Sequence, residues 1–160
     1  MPDRTPDGRW IVVDGRRWRA SDPAIPETFR AELVQELMRA RREVRSRGDS
    51  ARPAVHDAKV ALGERGDPWW EAPTDEGLRN RAAATIRALL RHRDPSAICP
   101  SDVARTIGGA GWRDRMPLVR EVAVALRDAG EVEIQQGGES VGTREVPGPI
   151  RLAAGEDLPR

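Results

Sequence analysis

The chain has 160 residues, 33% charged and 38% apolar, with a mean hydropathy of -0.62; this allows one compact domain or two small ones with thin cores, and it argues against wholesale disorder. The 27 basic and 26 acidic side chains leave a net charge of +1, which excludes a global pull toward nucleic acid or anionic lipid and leaves such binding to a local patch. One cysteine, Cys99, and the lack of an apolar export segment or membrane-length apolar run predict a reduced, cytoplasmic protein with no membrane partner.

Residues 1–9 mix proline, glycine and charge without period and predict a flexible tail. Trp10 to Val13 is β-branched and aromatic, Asp14-Gly15 favours a two-residue type I′ turn, and Arg16 to Ala20 returns, so a hairpin is expected. That turn sets Ile11 opposite Trp18 and Val13 opposite Arg16 on one face, with Trp10 and Val12 opposite Arg19 and Arg17 on the other. The Ile11 and Trp18 face needs a cover. A helix from Pro26 through Arg45, carrying Phe29, Leu33, Leu37 and Val44 at near-helical spacing, is the expected lid. A second helix, about Ala54 to Glu64, offers Val55, Ala58 and Leu62 before Gly63 and Gly66 stop it. Residues 10–66 thus form a hairpin and two-helix module, and residues 67–76, with Trp69 and Trp70 between Pro68 and Pro73, form a linker.

A second module is expected over residues 77–152, followed by a flexible tail at 153–160. Thr74 suits an N-cap and Asp75 and Glu76 suit the first turn of a helix whose face is Leu78, Ala82, Ile86, Leu89 and Leu90. Pro100 opens a second helix with Val103 and Ile107, ended by Gly108, Gly109 and Gly111; a third follows Trp112, with Met116, Val119, Val122, Ala123 and Leu126 on one stripe and Gly130 as its stop. Val132 and Ile134 then alternate with acids and glutamine, Gly137-Gly138 turns, and a return from Val141 ends at Ile150 and Leu152. The predicted fold class is therefore α+β, a small hairpin and two-helix module followed by a winged helix of three helices and a β-hairpin wing.

The runs ICPSDVARTIG, WRDRMPLVREVAVAL, AGEVEIQQGG and GPIRL in the second half resemble a bacterial family of short winged-helix domains of unknown function. The first half, with WIVVDGRRWRASDP, ELMRARR and DAKVALGERGDPWW, resembles a segment of high-GC bacterial proteins, some labelled "biopolymer transporter Tol". The resemblance implies a fold and no catalytic residues.

Catalytic chemistry finds little support. His56 and His92 fall in different modules, Cys99 occupies a cap position beside Pro100, and no nucleophile elbow, phosphate loop with lysine or paired zinc histidines occurs. No enzyme, cofactor or metal is expected. The leading expectation is association with double-stranded DNA: residues 77–152 hold 12 arginines against nine acids, and the third helix would bring Arg113, Arg115 and Arg120 to a groove while Gln135, Gln136 and Arg144 on the wing touch backbone. The outward positions of that helix, Pro117, Glu121, Val124, Ala125 and Asp128, carry no base, which favours the alternative of a protein-docking adapter. A second basic patch is expected at Arg39, Arg41, Arg42, Arg45 and Arg47, with Glu32, Glu36 and Glu43 as its neutralising partners, and Trp69 and Trp70 are candidates for docking or for packing the modules together.

Overall fold

A computed structural model describes residues 3–141 and 147–159. The chain begins with a three-stranded antiparallel sheet, β1 (Asp3–Arg4), β2 (Trp10–Val13) and β3 (Arg16–Arg19). The hairpin register is the expected one, Ile11 opposite Trp18 and Val12 opposite Arg17, because Asp14 and Gly15 both take positive φ, 50° and 77°, as a type I′ turn demands. The strand β1 corrects the expectation of a tail over 1–9: Asp3 pairs with Val12 and Arg4 with Ile11. A turn at Thr5 to Gly8, closed by Thr5 Oγ1 donating to Asp7 across 2.6 Å, brings it back along the free edge of β2. A two-residue strand is too short to leave a period in the sequence.

Helix α1 (Glu27–Arg47) begins after Pro26 and ends at Gly48, φ 66°. A short 3₁₀ turn (Gly48–Ala51) leads into α2 (Arg52–Ala61). The buried side of α1, Leu33, Glu36, Leu37 and Ala40, does not cover the hairpin as expected. It packs on α2 and on α3 (Asp75–Arg93) instead. The hairpin is held by the loop before α3: Trp69 Nε1 donates to Ala20 O at 2.9 Å, Trp70 lies 5.6 Å from Trp10, and Arg19 donates to Gly66 O at 2.8 Å. Residues 67–76 are accordingly built into the body. Asp67 Oδ2 accepts from Thr74 N and Oγ1 at 2.8 and 2.7 Å, and Thr74 in turn caps α3 by accepting from Gly77 N at 2.9 Å.

Helix α3 is the spine. The expected face, Leu78, Ala82, Ile86, Leu89 and Leu90, is buried, and so are Ala84, Thr85, Ala88 and Arg91, because α1 and α2 lie against it on one side and α4 (Pro100–Gly108) and α5 (Met116–Asp128) on the other. Between α4 and α5 runs a 3₁₀ segment (Gly109–Arg115). A second antiparallel sheet of β4 (Val132–Gln136), β5 (Glu139–Ser140) and β6 (Arg151–Ala154) has the order β5-β4-β6. The expected single return is thus two strands on opposite edges of β4, with Leu152 facing Ile134 and bridged to Ile98.

The tail expected over 153–160 is also corrected for its described part. Ala153 and Ala154 belong to β6, Leu158 is buried, Asp157 N donates to Gly130 O at 3.0 Å, and Pro159 O accepts from Arg91 at 2.8 Å. Leu33, Leu37 and Leu62 share one apolar core with Ile86, Leu89, Val103, Val119, Leu126, Ile134, Leu152 and Leu158. The mixed α+β class holds, and one core joins both halves of the chain. Among the described residues no helix is long and apolar enough to cross a membrane.

Candidate nucleic-acid interface

The residues expected to meet DNA around the third helix are distributed as follows. Arg113 is exposed at the end of the 3₁₀ segment with its guanidinium 4.5 Å from the Trp112 ring, and Arg105 of α4 lies over the same ring at 4.6 Å. Arg115 is half-buried against Gly108. Arg120 donates to Gly148 O at 3.3 Å and Gln136 donates to Pro147 O at 2.8 Å, so both secure the segment leading into β6. Gln135 is half-buried on β4, and Arg144 lies outside the described residues. On the solvent side of α5, Pro117, Glu121, Ala125 and Asp128 are exposed and Val124 is half-buried. Arg79 of α3 donates to Glu121 at 2.9 Å, which fixes that acid on the surface. This face carries acid where a phosphate would approach.

The N-terminal patch divides into two kinds of arginine. Arg39 donates to both oxygens of the fully buried Glu36 at 2.7 Å and pairs with Glu43 at 2.6 Å; these bonds raise its pKa above the ordinary guanidinium value and leave it little capacity for a ligand. Arg47 pairs with Glu43 as well, at 3.0 Å. Arg41, Arg42 and Arg45 are exposed and, among the described residues, have no carboxylate partner. Arg41 and Arg45 line a groove of about 690 Å³ between α1 and α2 together with Arg52, His56 and Arg65. Its acid, Asp49, is already bonded to Arg52 at 2.6 Å. Arg65 Nη1 donates to His56 Nδ1 at 3.2 Å, so that pair is held over the groove without neutralising it.

The sequence pointed to the α1 side of this groove and missed the α2 side. Arg52 and His56 stand four apart, on one face of a helix, which was a visible signal. Arg65 follows Gly63, φ 80°, in a loop whose return toward α2 has no local pattern. Trp69 and Trp70 pack edge to face at 5.2 Å, and with Trp10 they cement the hairpin to the body. Among the described residues no group of three histidine, cysteine, aspartate or glutamate side chains could hold a metal ion. Cys99 caps α4, where Asp102 Oδ2 accepts from Cys99 N at 3.1 Å.

No curated protein matches the chain. Residues 79–155, the segment from α3 to the end of β6, match the family described as protein of unknown function (DUF3253).

Proposed function

We propose that the protein is a non-catalytic, DNA-associated protein of the cytoplasm in which a winged-helix half is joined to a basic hairpin and two-helix half. The order α3, α4, α5, β4, β5, β6 supports the winged-helix reading. In this reading double-stranded DNA is gripped through its phosphates chiefly by the groove between α1 and α2. One observation carries it: Arg41, Arg45 and Arg65 surround a groove in which the single acid is already bonded. Arginines held with their donors open suit phosphate oxygens, and their attraction falls with salt as counterions are displaced.

An electrophoretic retardation assay on a random duplex, repeated over a salt series, tests this. Retardation that weakens steeply with salt, falls by about tenfold or more in an Arg41→Ala, Arg45→Ala variant, and changes less in an Arg113→Ala, Arg115→Ala variant supports it. No retardation at low salt overturns it. A second reading, a protein-docking adapter, is favoured by the outer face of α5, where Glu121 and Asp128 flank Ala125 and Val124; it predicts a partner whose binding is lost on Glu121→Arg and is indifferent to Arg41→Ala.

A further inference from the structure

Because α1 packs elsewhere, one face of the hairpin sheet lacks the cover expected for it. The register sets Arg4 opposite Ile11, Ile11 opposite Trp18 and Val13 opposite Arg16, so the strand residues of this face are Arg4, Ile11, Val13, Arg16 and Trp18, with no acid among them. The one acid of residues 10–19, Asp14, lies in the turn at the tip. Three large apolar side chains are exposed among the described residues, and two of them, Val13 and Trp18 at 42% each, stand on this face. Arg4 and Arg16 are exposed as well and, among the described residues, have no carboxylate partner. Arg16 lies over the Trp18 ring, 4.2 Å from its centre, and the ammonium of Lys59 on α2 lies over the same ring at 5.2 Å. The patch is apolar at its centre and cationic around it.

Such a surface complements a partner that presents apolar side chains and carboxylates together. The backbone narrows the partner further, because β3 is an edge strand. Ala20 N donates to Arg9 O, and the two-residue turn pairs Val13 with Arg16. Residues 16, 18 and 20 therefore bond to β2, and the exposed Arg17 aims its backbone N–H and C=O away from the sheet. An extended polypeptide meets that donor and acceptor with its own. A nucleic-acid strand would hold such a patch by stacking a base on the indole, and Arg16 and Lys59 already lie over the ring. We infer that this face docks an extended acidic segment of another protein, laid along the edge of β3 with apolar residues on Val13 and Trp18 and carboxylates toward Arg16. The inference goes beyond the duplex-binding reading and uses none of the residues that line the groove between α1 and α2.

The probe is a short fluorescein-labelled peptide in which valine and glutamate succeed each other at every second residue with threonine between, so that one side of the strand carries both. Its binding, read by fluorescence polarisation, is expected to weaken with salt and to fall about tenfold or more in Trp18→Ala and in Arg16→Glu, the second of which changes only an exposed side chain. Lys59 is the only lysine, so ¹³C-lysine protein gives a single Cε signal beside the Trp18 ring, and the peptide should shift it. Of two peptides methylated on alternate backbone nitrogens, one should lose about tenfold or more and the other little, since only one set of N–H groups can face β3. The Arg41→Ala, Arg45→Ala variant should bind the peptide unchanged, which separates this face from the groove. No binding of the peptide, equal binding of its lysine-for-glutamate counterpart, or an affinity unmoved by both Trp18→Ala and Arg16→Glu overturns the inference. Tighter binding of a single-stranded thymidine oligomer that Trp18→Ala abolishes overturns it in favour of nucleic acid, and self-association in sedimentation that Trp18→Ala abolishes overturns it in favour of a second copy of the chain.

Discussion

Arg91 of α3 donates from Nη1 to Asp57 Oδ2 of α2 across 2.6 Å, with 2% and 8% of the two side chains exposed. The bond ties the two halves of the chain at the centre of the body. It is lopsided, because Asp57 has a second cation, Arg87 at 3.7 Å, whereas the other bond of Arg91 is to the neutral carbonyl of Pro159. Removing Asp57 leaves a buried guanidinium without an anion. Asp57→Ala is therefore expected to cost about 3–5 kcal/mol, and Arg91→Met clearly less, since Asp57 keeps Arg87 and methionine fills the space. Urea titrations of the two variants check this, and equal losses would contradict the asymmetry.

Glu32 of α1 accepts from Arg93 of α3 at 2.7 and 2.8 Å, and Arg93 also donates to Asp102 of α4 at 2.9 Å. The hydrogen bonds from Arg93 hold the Glu32 carboxyl below the ordinary glutamate range. A pKa lowered by folding contributes stability that is fully present above the unfolded value and is lost as pH falls through the folded one. The melting temperature is expected to drop as the pH is taken down through and below the ordinary glutamate value of 4.5, and Glu32→Gln should flatten that drop while lowering the plateau near neutrality. A variant with the unaltered acid slope would remove Glu32 from the account.

Gly155, just after β6, has no room for a side chain. A Cβ there would run into Gly130 O and approach Glu131 C and Val132 N to 2.8 Å, all of them backbone atoms that cannot swing aside. Gly155 N also donates to Glu131 O at 2.9 Å, so the crowded segment is pinned. Gly155→Ala should destabilise by about 1–3 kcal/mol through overpacking. Gly111, beside which a Cβ would meet nothing, is the control expected to change stability little when replaced by alanine. Thermal melts of the pair decide it.

A shared core predicts cooperative unfolding. Leu33 of α1 and Leu89 of α3 are both fully buried in it. Leu33→Ala and Leu89→Ala are each expected to lose about 2–5 kcal/mol and to shift one common transition. Four tryptophans, Trp10, Trp18, Trp69 and Trp70, report on the first half and Trp112 on the second, so fluorescence and far-ultraviolet dichroism should coincide. A second transition indifferent to Leu33→Ala would refute the single core.

Much of the local structure was legible in the residues. Asp14-Gly15 dictated the hairpin turn and with it the register of Trp10 to Arg19, since only residues tolerant of positive φ allow a two-residue connection. Thr74, Pro100 and Gly130 marked helix ends because they supply or remove the donors and acceptors that helix termini leave open or turn the chain out of the helix. The stripe of Leu78, Ala82, Ile86, Leu89 and Leu90 named the inward face of α3. The outer positions of α5 were also readable: Pro117, Glu121, Ala125 and Asp128 are exposed as helical geometry requires, and Val124 is half-buried.

Amino-acid order alone therefore determined the helices α1 to α5, the strands β2 to β4 and the apolar side of α3 and α5, because turns, caps and periodicity are interactions between residues a few positions apart. Three-dimensional packing decided the rest. It set α1 against α3 and not against the hairpin, drew 153–159 into the body, put β5 and β6 on opposite edges of β4, and gathered Arg41, Arg45, His56 and Arg65 around one groove. These are contacts between residues far apart in the chain, and which apolar face meets which is settled only when all of them compete to leave water together.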